Sequence, residues 1–195
     1  MFFLPEQANL VKIAVRNSYD NITMPSCTIV QRAMSSWKSP LEGYENAEPL
    51  PTIINKDGKS LYNPPAPKSA SYDEFPKPID SSNNGFDFHV YYRIEDEAET
   101  KYARELHERI RREFPELRIY RFWDKPVGPH PTPMFEVNTF NPHQTGTLFS
   151  WLTVWRGPCP VLVHPNTGDA LKDHTELNSW IGKPLVLKTD MFKQH

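Results

Sequence analysis

Eight of the twenty prolines fall between Pro40 and Pro78, mixed with Ser, Asn and Lys and without a sustained hydrophobic period. Proline fixes φ and removes an amide donor, so this stretch cannot run as a core helix or a central strand. It must wrap or dangle, and the regular fold is confined to the residues after Gly85. The expected division of the 195-residue chain is therefore an irregular, proline-rich extension over 1–84 and one domain over 85–195. Within the extension, Tyr44, Tyr62, Tyr72 and Phe75 offer rings that could dock on a folded surface. The stretch Pro40–Gly85 is expected to add little to core stability and to be cut first by proteases.

Beyond Gly85 the periods become legible. Phe86, Phe88, Val90 and Tyr92 alternate with Asp87, His89 and Tyr91, the pattern of a strand with one apolar face. Asp96 predicts a helix N-cap with Glu99 three positions on, and Tyr102, Ala103, Leu106, Ile110 and Phe114 follow at helical spacing until Pro115. Leu117–Trp123 reads as a second strand and Met134–Phe140 as a third, with 124–133 as the connection. Asn141 and Pro142 open another helix, with Leu148, Trp151, Leu152 and Trp155 on one face and Gly157 at its end. Val161–His164 supplies a fourth strand, and a helical tail is expected around Leu171–Ile181. This order is βαββαβ, an α+β ferredoxin-like sandwich.

The topology carries a chemical consequence. In the strand order 4-1-3-2, the first strand is expected between an antiparallel fourth strand and a parallel third. With both helices on one face, Phe88, Val90, Phe135, Val137, Val161 and Val163 point to the helices, whereas Asp87, His89, Glu136 and His164 point to the other face. His89, His130 and His164 then converge near the N-terminal end of the first strand, a set suited to a metal. Glu136, six residues past His130, is expected near the opposite end and outside the site. His107 and His143 read as solvated helix positions, the Arg109, Arg111 and Arg112 cluster as a charged helix surface, and Trp151 and Trp155 as core.

Composition excludes several classes of partner. Twenty-two basic against twenty-four acidic residues, a net charge of −2 with no long single-sign block, give no footprint for nucleic acid. No apolar run approaches the roughly 20 residues of a membrane span, and the start Met1–Glu6 lacks the pattern of a secretory leader. Residues 7–38 are mildly basic, which fits an unstructured extension or, less well, an organelle-targeting segment. The two cysteines, Cys27 and Cys159, form no paired motif, so a reducing, cytoplasmic setting is expected and a thiolate zinc site is not.

The motifs Phe88-His89-Val90-Tyr91-Tyr92, Pro126-Val127-Gly128-Pro129-His130-Pro131, Trp155-Arg156-Gly157, Val163-His164-Pro165-Asn166-Thr167-Gly168-Asp169 and Asp173-His174, with Trp180-Ile181-Gly182 beyond, resemble the DOPA 4,5-dioxygenase family over residues 86–195. The resemblance implies a small homodimeric protein that uses non-haem Fe(II) and O2 to open the ring of a catechol such as L-DOPA. It implies His89, His130 and His164 as metal ligands. His174 would move protons or cap a helix, and Arg156 would pair with a substrate carboxylate or satisfy helix-end carbonyls. The family often carries His-X-His on the first strand, where this chain has Asp87-Phe88-His89. Asp87 is thus a fourth ligand, an acceptor orienting an imidazole, or a replaced acid/base group. The competing class is a non-catalytic module that binds a small ligand or a metal.

Overall fold

The computed structural model describes residues 39–193, which fall into two compact units, one ending at Pro65 and one beginning at Ala66. Cys27, the 7–38 segment and His195 lie outside the described residues. The first unit is turn-rich. Its Ile54 and Leu61 form an isolated antiparallel bridge around a turn in which Asp57 accepts hydrogen bonds from the Lys59 and Ser60 amides.

The second unit carries a five-stranded antiparallel sheet and three helices. The elements are β1 (Phe86–Tyr91), α1 (Glu97–Glu113), β2 (Arg118–Ile119), β3 (Met134–Thr139), α2 (Pro142–Trp155), β4 (Val161–Pro165), α3 (Ala170–Thr175) and β5 (Ser179–Ile181). The sheet order is β2-β3-β1-β4-β5. Local chemistry sets the helix starts. Asp96 accepts from the Glu99 amide at 3.0 Å and Asn141 from the Gln144 amide at 2.9 Å, with Pro142 at the first turn of α2. Glu99 does not close the capping box; its carboxylate instead takes the Arg93 amide and guanidinium. At the end of α2, Gly157 adopts φ +57°, and a Cβ there would collide with the Tyr102 ring.

The two faces divide as the period of two requires. Phe88, Val90, Phe135, Val137, Val161 and Val163 pack with Ala103, Leu106, Ile110, Leu148 and Leu152 of α1 and α2 in the main core. Tyr91, Met134 and Leu162 form a smaller cluster on the opposite face, covered by Trp180, Leu185 and Leu187 from the C-terminal part of the chain.

Several expectations are corrected. β3 runs antiparallel to β1, with Phe86 opposite Thr139 and Tyr91 opposite Met134. One crossover through α1 makes β1 and β2 co-directional, and the hairpin-like return into β3 then reverses the direction. β2 is shorter than Leu117–Trp123 because its ladder slips: Ile119 pairs with Val137, but Trp123 bridges Met134, leaving one extra residue on the β2 side. The tail is helical only to Thr175; Ser179–Ile181 pairs with β4 as an edge strand. Trp155 is 47% exposed and lies under the Arg109 guanidinium rather than in the core. Finally, the compact unit starts before residue 85. Phe75 packs on Phe86 at a ring distance of 5.5 Å, a Cβ on Gly85 would strike its ring, and the Asp80 amide donates to the Asn166 carbonyl. Of the four rings expected to dock, Tyr44, Tyr62 and Tyr72 remain exposed.

Candidate active site

Two rows of paired residues cross the open sheet face. In the first, Arg118 of β2 pairs with Asn138 of β3, Asn138 with Asp87 of β1, and Asp87 with His164 of β4. In the second, Glu136 of β3 pairs with His89 of β1. Side chains opposite one another in a ladder touch, so the register alone brings two carboxylates and two imidazoles together. His174 arrives from α3. The Asp173 carboxylate accepts from the Thr167 amide and hydroxyl, at 2.9 and 2.6 Å, which ties α3 to the end of β4 and sets the His174 ring 4.1 Å from that of His164. His130 comes from the loop before β3, turned by Gly128 at φ +56°, and its ring lies 4.0 Å from that of His89.

His130 therefore reaches the cluster by a route different from the expected one. Antiparallel β3 begins at the C-terminal end of β1, and the 124–133 loop folds back over the sheet. The same reversal brings Glu136, expected at the far end, to a position opposite His89, with Oε2 3.9 Å from His89 Nδ1. Spacing alone misplaces Glu136 because the direction of its strand decides where it lies.

The hydrogen bonds fix which imidazole nitrogens are free. His164 Nδ1 donates to the Pro165 carbonyl at 2.9 Å and His174 Nδ1 to the Ala170 carbonyl at 2.8 Å. A carbonyl can only accept, so both rings keep the proton on Nδ1 and present a lone pair at Nε2. His89 Nε2 stands 3.0 Å from His164 Nε2, while its Nδ1 is buried without a partner. Among the described residues, His89, His164 and His174 form a group whose ligating atoms lie within 4.8 Å of one another. His130 differs. Its Nδ1 is 2.7 Å from the Tyr91 hydroxyl, and burial pushes the Tyr91 phenol upward so that it stays protonated. Either the phenol or the ring nitrogen can be the donor there, and His130 stands outside the close group of three.

The electrostatics suit cation binding. Desolvation, reinforced by the neighbouring imidazoles, holds His89 well below the usual histidine range, His130 at about 3 and His174 at about 4. Burial also lowers His164. All four rings are neutral at neutral pH, each with one nitrogen carrying a lone pair. Asp87 and Glu136 are pushed upward by burial. Asp87 Oδ1 accepts from the Asn84, Asn138 (2.6 Å) and Asn166 (3.2 Å) amides, and Oδ2 faces His164 Nε2 at 3.8 Å. Asn138 also donates to Glu136 Oε1 at 2.7 Å. Three imidazoles with two held carboxylates beside them, and a buried ring nitrogen left without a partner, fit a divalent cation that keeps open positions better than a closed four-ligand zinc site.

The cluster opens into a cavity of about 410 Å³, whose walls include His89, His164, His174, Asp87, Glu136 and Tyr120. His130 and Arg156 do not line it. Arg156 sits at the end of α2, donating NH1 to the Gly157 and Cys159 carbonyls at 3.1 and 3.4 Å, with a buried and unpaired Nε. Of the other histidines, His107 is half-buried against Phe135 and bonded to the Tyr120 carbonyl, contrary to a solvated reading, whereas exposed His143 pairs with Asp73. Cys159 is buried in the main core, which pushes its thiol up to about 12. No helix among the described residues is long and apolar enough to cross a membrane.

The profile of the Dopa 4,5-dioxygenase family matches residues 86–191. An uncharacterised 21.2 kDa protein of Botryotinia fuckeliana is 50% identical over 171 residues, covering 83% of this chain and 93% of that protein. A DOPA 4,5-dioxygenase of Amanita muscaria is 36% identical over 115 residues, which is 56% of this chain and 50% of the Amanita protein. A crystal structure of a Nostoc punctiforme protein, provisionally assigned as a dioxygenase, superposes with a TM-score of 0.53 at 37% identity, covering 60% of this chain and 94% of that one.

Proposed function

Since the chain belongs to the Dopa 4,5-dioxygenase family and is a dioxygenase-like enzyme, we propose that its histidine-lined cavity opens the ring of a catechol by extradiol cleavage, using O2 and Fe(II). The observation that carries this reading is the group of three imidazoles, each with a ligating nitrogen within 4.8 Å of the others, at the wall of a cavity of about 410 Å³. His89, His164 and His174 would hold the iron. His130, expected from the sequence among the ligands, gives way to His174 in this proposal, because His174 joins the close group of ligating atoms and lines the cavity whereas His130 does neither. The sheet order with two helices on one face supports a ferredoxin-like sandwich as the scaffold.

When bound, ferrous iron supplies coordination positions for both catecholate oxygens and for dioxygen. The protein's own groups do the rest. The Pro165 and Ala170 carbonyls orient His164 and His174, and Glu136 places its carboxylate 3.9 Å from His89 Nδ1, a negative charge beside the ligand set. Asp87 is the base that takes a catechol hydroxyl proton. Its Oδ1 is saturated by three amides, its Oδ2 faces the histidines, and burial raises its basicity above that of a solvated carboxylate. In this reading the first strand works through Asp87 and His89, with the family's His-X-His pattern not required. We also propose a homodimer, which sedimentation of the full chain tests.

The test of function is anaerobic reconstitution with Fe(II), followed by oxygen uptake on adding a catechol. Uptake that depends on iron and is lost in His89→Ala, His164→Ala and His174→Ala is expected. Binding of metal without oxygen uptake for any catechol would support the non-catalytic module instead.

A further inference from the structure

The cavity's outer wall comes from outside the segment that matches the family profile. Asp80, Ser82, Asn83 and Asn84 line it, while the matched segment begins at residue 86. These residues are held in place. The Asp80 amide donates to the Asn166 carbonyl at 2.8 Å, and Arg118 donates to the side-chain oxygens of Asn83 and Asn84 at 3.0 and 2.6 Å. Asn84 in turn donates to Asp87, so the wall is hydrogen-bonded to the first strand of the site.

The charge of the cavity is one-sided. Among the described residues its lining contains Asp80, Asp87, Glu136 and Asp173 and no lysine or arginine. These acids are not equivalent. The Asp173 carboxylate is taken up by Thr167, and Asp87 and Glu136 lie beside the histidines. Asp80 is exposed at the rim, its Oδ1 bonded to the Ser82 amide at 2.9 Å. Fe(II) held at the histidines and the Arg118 charge would offset Asp87 and Glu136, which leaves Asp80 as the anion that a ring substituent meets. Arg118 is not a lining residue and directs Nε, NH1 and NH2 at Asn138, Asn83 and Asn84. Lys77, whose charge acts on Asp80, is not a lining residue either, and Arg156 is committed to carbonyls at the end of α2. A catechol seated with its hydroxyls at the histidines would direct its ring substituent toward the rim.

We propose that the Asp80–Asn84 segment is the specificity wall of the active site, and that Asp80 selects catechols whose side chain carries a cationic amine and no carboxylate. The inference rests on the catechol reading of the cavity and adds the substrate class. It reverses the role expected for Arg156: the cavity presents no cation to a substrate carboxylate and does present an anion to a substrate amine.

The test is anaerobic titration of the full-length, Fe(II)-loaded protein at low salt with three catechols bearing an aminoethyl, a carboxymethyl or a methyl group. The aminoethyl compound is expected to bind roughly tenfold more tightly than the carboxymethyl one, with the difference shrinking as salt screens the rim. Asp80→Asn should reduce that ratio by about threefold to fivefold, the scale of one solvent-exposed ion pair, and Asp80→Glu should keep it. Equal affinity for the two charged catechols, or a ratio unaltered in Asp80→Asn, overturns the inference while leaving ring cleavage intact if oxygen uptake is seen. Failure of all three to bind or to consume oxygen overturns the catechol reading and the inference with it.

Discussion

The neutral histidine cluster should make the metal-free protein labile to mild acid. In the unfolded chain each imidazole takes up a proton near the ordinary value of about 6.5, whereas in the folded chain His130 and His174 resist protonation to about 3 and about 4. His89 and His164 are lowered as well. A depressed histidine means that the unfolded state binds more protons as the pH falls below the ordinary value, so stability is full at neutral pH and drains away toward the folded-state values. Each fully depressed group costs about 1.4 kcal/mol per pH unit in that window, so by pH ~5.5 His130 and His174 alone remove on the order of 2–3 kcal/mol, with His89 and His164 acting in the same direction. That is a sizeable part of the stability of a small domain, roughly 5–15 kcal/mol. Asp87 and Glu136 act in the opposite sense. Raised by burial, they favour protonation in the folded state and soften the loss at the acid end of the window. The assay is the urea midpoint of chelator-treated protein, followed by tryptophan fluorescence from pH 8 to pH 5. A steep fall below about pH 6.5 is expected, and His130→Gln should reduce the slope by about one proton. A flat midpoint across this range, or a slope unchanged in His130→Gln, would refute the claim that the rings are held neutral by burial.

Other outcomes depend on the same contacts. Asn138→Ala removes two bonds to carboxylates and one from Arg118, and should destabilise the fold by about 2–4 kcal/mol in thermal or urea unfolding; a loss below about 0.5 kcal/mol would show that water replaces the amide. Limited proteolysis should cut within residues 40–65 before 70–84, because Phe75 and the Asp80 amide tie the later segment to the sheet; mass spectrometry of the first fragments decides this. Phe75→Ala should loosen the Asp80–Asn84 wall, seen as new early cleavage near residue 80 with little change in helical circular dichroism.

The fold is legible in the sequence where one local signal is sufficient. Asp96, Asn141-Pro142 and Gly157 mark helix ends by chemistry that acts over three or four residues, and alternation along Phe86–Tyr92 sorts the faces of β1. The features that are not legible depend on pairing. Glu136 enters the site because β3 runs opposite to β1, and no period within Met134–Phe140 records the direction of a neighbouring strand. β5 is three residues long, too short to show alternation, and forms because the edge of β4 is open to Ser179–Ile181. The division of labour among the histidines is equally hidden. Whether His130 or His174 presents a lone pair depends on Tyr91 and on the Ala170 carbonyl, partners that only the folded chain brings into reach. Phe75, one aromatic in a proline-rich stretch, docks because Gly85 leaves room for its ring.

The central claim, that His89, His164 and His174 serve a ring-cleaving site, is tested most directly by the fate of labelled oxygen. Iron-loaded protein turning over a catechol under isotopically labelled dioxygen, with the aldehyde trapped at once against exchange, should give a ring-opened product carrying both labelled atoms, and His174→Ala should give none. A product with an intact ring and no label, as simple oxidation to a quinone would leave, would contradict that claim.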